Sequence, residues 1–186
     1  CIDGLAIVQH TQRGHRSADI DHRHSAVGFQ GQLALHQGEG ALHGVGLDID
    51  HTGTQTGKLD ITDERHYSLV TDCDLRANVV RCSGPVQASS EAMTHGAIYA
   101  LGDAIGAIVH VHSRELWEAM RDRLPTTNPE IAYGTPAMAM ELDRLYRMGG
   151  FREAGVAVLA GHEDGLISFG TTIEEAATRM LSLAPL

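Results

Sequence analysis

The stretch from Gly84 to Ser113, GPVQASSEAMTHGAIYALGDAIGAIVHVHS, decides the predicted fold because it carries a helix followed directly by a strand. The pair Ser89-Ser90, with an acid directly behind it, is typical of a helix N-terminus, and apolar residues continue the helix beyond it. The β-branched run that ends at His112 predicts a short buried strand. Because strands and helices also alternate on either side of this stretch, we predict a layered α/β domain.

Further elements are predicted on both sides. Upstream, Tyr67–Asp72 alternates between apolar and polar residues and is predicted to pair with 77–82 across a turn. Downstream we predict helices over 115–124, over 136–147 and from the capping box at Thr172 to about Leu183, with strands over 155–161 and 166–169 between them. Before residue 52, only two weak strands can be placed, at Leu5–Val8 and Ala41–Asp48.

Composition excludes several classes of protein. A chain of 186 residues that is 42% hydrophobic suits one compact domain. The net charge of −10, without a basic cluster, disfavours nucleic acids and anionic membranes as partners. There is no apolar run long enough to span a bilayer and no signal-peptide pattern, so we expect a cytosolic protein. The three cysteines show no CxxC spacing, which argues against a disulfide framework or a cysteine zinc site.

Three histidines are candidates for a metal site. His110 and His112 lie two residues apart in the predicted strand, so both side chains project from the same face. His162 lies in the polar turn Gly161-His-Glu-Asp-Gly after another apolar strand. Taken singly, each is more often structural or incidental than a ligand. Taken together, they match a His₃ zinc site with an open fourth position.

The helix start offers further candidates. Glu91 is either a first-turn acid that complements the helix dipole or, beside a metal, a general acid/base. The serines Ser89 and Ser90 are either plain caps or donors to a phosphate. The glycine-rich segment 52–57, Thr-Gly-Thr-Gln-Thr-Gly, could add backbone donors of the same kind. These alternatives stay open on spacing alone.

From about Thr52 to Leu183 the chain resembles the class II aldolase/adducin family, in particular its fuculose-phosphate aldolase-like members. Four motifs in order carry the resemblance: Thr52-Gly-Thr-Gln-Thr-Gly, Gly84-Pro-Val-Gln-Ala-Ser-Ser-Glu-Ala-Met-Thr-His-Gly-Ala-Ile-Tyr, Ala107-Ile-Val-His-Val-His-Ser and Gly161-His-Glu-Asp-Gly. The resemblance implies that the zinc ligands are His110, His112 and His162 and that the catalytic acid/base is Glu91. It also implies that the residues facing a substrate phosphate are Thr52, Gly53, Ser89 and Ser90.

The resemblance further implies a three-layer α/β/α sandwich around a mixed, largely antiparallel sheet, and a homotetramer with active sites near subunit interfaces. The implied activity, in carbohydrate metabolism, is zinc-dependent retro-aldol cleavage of a phosphorylated ketose through a metal-stabilised enediolate, with Glu91 moving the proton at carbon. This chemistry needs no Schiff-base lysine, which agrees with Lys58 being the single lysine of the chain. Tyr133 is the candidate to assist proton transfer, although packing at a loop explains a tyrosine there equally simply.

Two other functions remain open. A sugar-phosphate epimerase or dehydratase would use the same zinc site with different helper residues. A non-catalytic relative would keep the sheet and serve interaction or structure. The four residues His110, His112, His162 and Glu91 favour an enzyme.

The first 51 residues depart from the family pattern. They contain seven of the 12 histidines, and residues 1–50 lack Asn, so the Gly-Asn-x-Ser turn expected for the phosphate pocket is missing. We therefore predict a class II aldolase/adducin-like domain over 52–186 and an atypical segment over 1–51. A diverged N-terminal part, a variant that binds substrate differently and translation in the wrong reading frame are three accounts of this segment. Translation of the underlying DNA in its other frames tests the last account, because failure to recover a Gly-Asn-x-Ser turn there would rule it out.

Overall fold

The computed structural model describes residues 5–9, 25–28, 45–53, 56 and 61–183. Side chains are described from residue 49 onward. Residues 41–44 of the second weak strand, Lys58 and six of the seven early histidines lie outside the described residues. His51 is the early histidine that is described, at the end of a strand.

The described strands form one sheet. They are β1 Leu5–Gln9, β2 Ser25–Gly28, β3 Val45–Thr52, β4 Tyr67–Asp74, β5 Val79–Ser83, β6 Ala107–His112, β7 Val156–Leu159 and β8 Gly165–Gly170. Their order is β2-β5-β4-β3-β1-β6-β8-β7, and each neighbouring pair is antiparallel. The β4–β5 pairing confirms the predicted hairpin.

Of the five helices in the described part of the chain, four lie where the sequence signals place them, although the helix predicted over 115–124 already ends at Met120. The five helices are α1 Ala92–Tyr99, α2 Arg114–Met120, α3 Pro136–Arg147, α4 Gly150–Ala154 and α5 Ile173–Leu181, and a 3₁₀ turn spans Glu64–His66. The side chains of Ser113, Thr135 and Thr172 accept backbone N–H groups in the first turns of α2, α3 and α5. In the described part of the chain, no helix has the length and hydrophobicity to cross a membrane.

Two hydrophobic cores lie on opposite faces of the sheet. Along β6, Ile108 packs with α1, α3 and α4, whereas Val109 packs with α2 and α5. The same alternation recurs in β7 and β8, as expected for strands buried on both faces. The predicted three-layer α/β/α sandwich is therefore confirmed, and His110 and His112, which share the parity of Ile108, lie on the α1 face.

A buried carboxylate joins α3 to the loop that follows α2. Glu141 Oε1 accepts the backbone N–H of Asn128 at 3.1 Å, and the Arg144 guanidinium donates to both carboxyl oxygens at 2.7 Å. The hydrogen bond from Arg144 is the main reason why the pKa of Glu141 lies below its usual value. The carboxylate therefore stabilises the folded chain at neutral pH, and this stabilisation is lost as the pH falls through the lowered pKa.

We expect Glu141→Gln to lower the free energy of unfolding by about 1–2 kcal/mol at pH 7. The difference from the wild-type protein should shrink as the pH falls through the lowered pKa of Glu141, because the protonated carboxyl group and the amide are both neutral. Urea unfolding of both proteins from neutral pH downward measures it, with Glu130→Gln, an exposed carboxylate of the same loop, as the control. A difference in the free energy of unfolding that stays constant with pH would contradict a stabilising role of the ionised Glu141 carboxylate.

Candidate active site

Three histidine side chains meet at the end of the sheet. His110 and His112 come from β6, and His162 comes from the turn between β7 and β8. One ring nitrogen of each histidine lies within 4.8 Å of the other two, and the ring centroids are 4.5–5.0 Å apart. His110 and His162 are buried whereas His112 is exposed, so the cluster is accessible from the His112 side. The structure thus brings together the three residues that the strand and turn patterns singled out, in a group that could hold a metal ion.

The ring nitrogens are arranged as metal ligands require. His112 Nδ1 lies 3.2 Å from the carbonyl oxygen of Glu163, which can only accept, so Nδ1 carries the proton and Nε2 keeps its lone pair. His110 Nε2 is buried and has no hydrogen-bond partner among the described residues. A Cβ at Gly165 would come within 3.3 Å of this nitrogen, so glycine keeps the space beside it free. A divalent metal fits this donor set.

Glu91 lies against this histidine cluster. Its Oε1 is 3.5 Å from His162 Nδ1, and its side chain makes no capping hydrogen bond to the helix that it precedes. This geometry favours a role at the cluster over that of a first-turn acid. Burial raises the pKa of Glu91 to about 7, and the neighbouring Thr94 hydroxyl group opposes part of that rise. A carboxyl with such a pKa can both accept and return a proton near neutral pH.

The four phosphate candidates are adjacent in space. The Ser89 N–H donates to the Thr52 carbonyl at 3.1 Å, and Gly53 forms an isolated bridge with Ala88. The Gly53 N–H donates to the carbonyl of His66 at 2.8 Å, so this backbone donor is already engaged. The side-chain donors that these two adjacent stretches offer are the hydroxyl groups of Thr52, Ser89 and Ser90.

Tyr133 lies over the site from the loop between α2 and α3. Its ring stacks on that of His162, with centroids 4.1 Å apart and an angle of 20° between the planes, and the residue is 46% exposed. The loop packs closely on the turn that carries His162, since a Cβ at Gly161 would come within 1.8 Å of the Ile131 carbonyl oxygen. Tyr133 therefore packs at a loop, and it does so directly on a candidate ligand.

Two further histidines extend the cluster into the protein. His51, at the end of β3, lies with its ring centroid 4.7 Å from that of His95 on α1, and His95 lies 5.9 Å from His110. Burial lowers the pKa of His51 to about 4 and that of His95 well below its usual value, so both rings are neutral. His95 follows Glu91 by four residues, a spacing that places the two on the same side of a helix, whereas no spacing in the sequence indicates that His51 joins them.

Comparison with known proteins identifies the family. The sequence model of the Class II Aldolase and Adducin N-terminal domain matches residues 28–186. The chain belongs to the class II aldolase and adducin family. The match confirms the resemblance found in the motifs and extends upstream of Thr52 to include β3. No curated protein sequence matches the chain significantly.

Solved structures of class II aldolase-like proteins share the fold. YgbL from Escherichia coli, described as a putative aldolase/epimerase/decarboxylase, is 20% identical over 73% of this chain and 68% of its own, with a TM-score of 0.52. A sugar-phosphate aldolase from Thermotoga maritima is 13% identical over 98% of this chain and 82% of its own, with a TM-score of 0.56. An L-fuculose 1-phosphate aldolase is 20% identical over 73% and 66%, with a TM-score of 0.51.

Proposed function

We propose that this member of the class II aldolase and adducin family is a zinc-dependent lyase that cleaves a phosphorylated ketose by a retro-aldol reaction. The observation that carries the proposal is the meeting of three histidine nitrogens with a buried carboxyl that lies 3.5 Å from one of the rings. A protein that served only structure or interaction would gain nothing from this arrangement, because clustered buried imidazoles and a buried carboxyl cost desolvation energy. The family name and the solved aldolases of the same fold support the reaction class.

The three histidines are the proposed metal ligands. Neutral imidazole nitrogens suit zinc, and three protein ligands with an exposed side are typical of catalytic rather than structural zinc. When bound, a zinc ion supplies Lewis-acid stabilisation of the negative charge that develops on the substrate oxygens during cleavage. The exposed position of His112 leaves the side through which a sugar can approach.

Glu91 is the proposed acid/base. Its carboxyl lies beside the ligands and its pKa of about 7 lets it give a proton to the substrate carbon after cleavage, or take one in the condensation direction. Because the carboxyl is buried, bulk water does not compete for this proton. No lysine is needed for this reaction.

The phosphate is proposed to bind where the segment at Thr52-Gly53 meets the serines Ser89 and Ser90. Hydroxyl donors and the N-terminal end of α1 favour an anion here. Ser89 and Ser90 lie directly before Glu91, so a phosphate held by them places the rest of a small sugar next to the histidines. A cytosolic location, which the sequence pattern favours, and a homotetramer, which the family resemblance implies, belong to the same proposal.

Tyr133 is proposed as a second catalytic residue, since its phenol group lies over the site. We expect Tyr133→Phe to keep the stack on His162, and with it the zinc affinity, but to lower turnover by about 10²-fold because the hydroxyl that assists proton transfer is lost. Steady-state kinetics and zinc titration of the variant check this. Full turnover in Tyr133→Phe, together with losses only in Tyr133→Leu, would reduce Tyr133 to a packing role.

The reaction is tested by incubating the zinc-loaded protein with L-fuculose 1-phosphate and other ketose 1-phosphates. A lyase releases dihydroxyacetone phosphate, which is measured by NADH consumption with glycerol-3-phosphate dehydrogenase. Chromatography of the same mixtures separates the alternatives, since an epimerase changes only the stereochemistry and a dehydratase releases water from an intact carbon chain. A zinc-loaded protein that converts none of these substrates would support the non-catalytic alternative.

A further inference from the structure

A pair of buried histidines behind the proposed metal site is not used by the reaction above. His51 and His95 are each 1% exposed. His51 Nε2 and both ring nitrogens of His95 have no hydrogen-bond partner among the described residues. A buried polar atom without a partner is costly, so three such atoms on adjacent rings call for a physical reason.

The tautomer of His51 is defined by a backbone carbonyl group. His51 Nδ1 lies 2.8 Å from the carbonyl oxygen of Thr52. Because a carbonyl can only accept, Nδ1 carries the proton and Nε2 is left as an acceptor. The ring of His95 lies beside that of His51, tilted by 44° with its centroid 4.7 Å away. His95 can satisfy His51 Nε2 only by donating an N–H to it.

The other side of His95 faces a proposed ligand. The ring of His110 lies edge-on at 5.9 Å, with 74° between the planes. Because a ring nitrogen lies about 1.1 Å from the ring centroid, an N–H···N bond of about 2.9 Å places two imidazole centroids roughly 5 Å apart. The spacing to His51 suits such a bond, whereas the spacing to His110 requires the rings of His95 and His110 to approach each other by somewhat less than ~1 Å. Once one nitrogen of His95 donates to His51, the other is an acceptor and requires a donor.

We propose that His95 is a positioning residue that sets the tautomer of His110. In the resulting chain, the Thr52 carbonyl accepts from His51, His51 accepts from His95, and His95 accepts from the second ring nitrogen of His110. His110 then keeps its Nε2 lone pair, beside Gly165, for the metal. The inference rests on the proposed metal site and adds to it the residues that orient one ligand.

The physical reason is the one that applies to metal-binding histidines generally. A ligand imidazole whose other nitrogen donates to a fixed acceptor is held in the correct tautomer and orientation, and loss of that acceptor typically weakens metal binding by about 10–100-fold. His112 has such an acceptor in the Glu163 carbonyl. His110 lies in β6, which pairs with β1 on one side and with β8 on the other. The group that faces His110 from α1 is the imidazole of His95.

The chain also connects the two halves of the site. The Thr52 carbonyl that accepts from His51 accepts the Ser89 N–H as well. Thr52 and Ser89 are both proposed phosphate residues. The backbone that shapes the phosphate segment therefore anchors the histidine chain that ends at the metal ligand.

The decisive variant is His95→Phe, which keeps an aromatic ring and removes both nitrogens. We expect its zinc affinity, measured by competition with a chromophoric chelator, to fall by about 10–100-fold. The melting temperature of the metal-free variant should fall modestly as well, since Phe leaves His51 Nε2 and the donor nitrogen of His110 without their partners. A merely structural role would lower the melting temperature without changing the tautomer of His110, which long-range ¹H–¹⁵N correlation spectra report.

Two further variants sharpen the test. His95→Gln keeps one donor and one acceptor and is expected to retain more zinc affinity than His95→Phe. His66→Gln, which alters a histidine of the 3₁₀ turn, is the matched control and should bind zinc as the wild-type protein does. Long-range ¹H–¹⁵N correlation spectra of the zinc-loaded protein should show His51 protonated at Nδ1 and His110 protonated at the nitrogen opposite the metal.

The outcomes separate this inference from the proposed function. Wild-type zinc affinity in His95→Phe, or a loss of affinity with the tautomer of His110 unchanged, would overturn the role of His95 while leaving the metal site in place. A spectrum with His51 protonated at Nε2 would overturn it as well. Failure of the wild-type protein to bind zinc would overturn the proposed function itself.

Discussion

Glu91→Gln is expected to lose turnover by roughly 10²–10⁴-fold while keeping its bound zinc. The amide has nearly the shape of the carboxyl, but it cannot take up and return a proton. Since burial raises the pKa of Glu91, the carboxylate is destabilising at pH values above its ordinary pKa, and the amide avoids that cost. The metal-free variant should therefore be at least as stable as the wild-type protein at pH 8.

Loss of activity without loss of metal or stability distinguishes an acid/base from a structural residue. Zinc content, thermal unfolding and turnover are measured on the same preparation. Glu64→Gln, at an exposed glutamate of the 3₁₀ turn, is the matched control and should behave as the wild-type protein in all three. A Glu91→Gln variant that keeps more than a tenth of the wild-type turnover would contradict the acid/base role.

His110→Ala is expected to abolish stoichiometric zinc binding, with an affinity loss larger than the roughly 10–100-fold typical of residues behind the ligands. The ring of His110, like those of His112 and His162, lies within 5.0 Å of the other two rings of the cluster. Two imidazoles that remain after its removal make only half of a tetrahedral zinc site. Dialysis against trace zinc followed by elemental analysis measures the loss.

The other two ligands provide an internal comparison. His112→Ala and His162→Ala should lose zinc to a similar extent, whereas His66→Ala should not. His162→Ala also removes the ring on which Tyr133 stacks, so it should lower the melting temperature more than His112→Ala does. Stoichiometric zinc in His110→Ala would mean that the metal binds elsewhere in the chain.

Local sequence signals predicted much of the fold. The bounds of α3 were predicted to the residue because Pro136 suits the first turn and Thr135 caps it. The face shared by His110 and His112 follows from the two-residue period of a strand. The short helix α4 was missed because it spans five residues and packs through one buried aromatic, Phe151, which leaves no periodic pattern to detect.

The site itself was only partly predictable, because its distances arise from tertiary packing. The sequence motifs identified Glu91 and His162 separately. The 3.5 Å between Glu91 Oε1 and His162 Nδ1 depends on how α1 lies against the turn after β7. The contact between His51 and His95 depends on α1 packing over β3, which is separated from β6 by β1 in the sheet. No spacing in the sequence predicts that contact.

The most direct measurement is the zinc stoichiometry of the wild-type protein, compared with that of variants that lack one or all of the three histidines. We predict about one tightly bound zinc ion per chain, as a three-histidine catalytic site holds. This ion should disappear in His110→Ala and remain in Glu91→Gln. A wild-type protein that takes up no zinc or other divalent metal on titration, or one whose metal persists when His110, His112 and His162 are all replaced by alanine, would contradict the account.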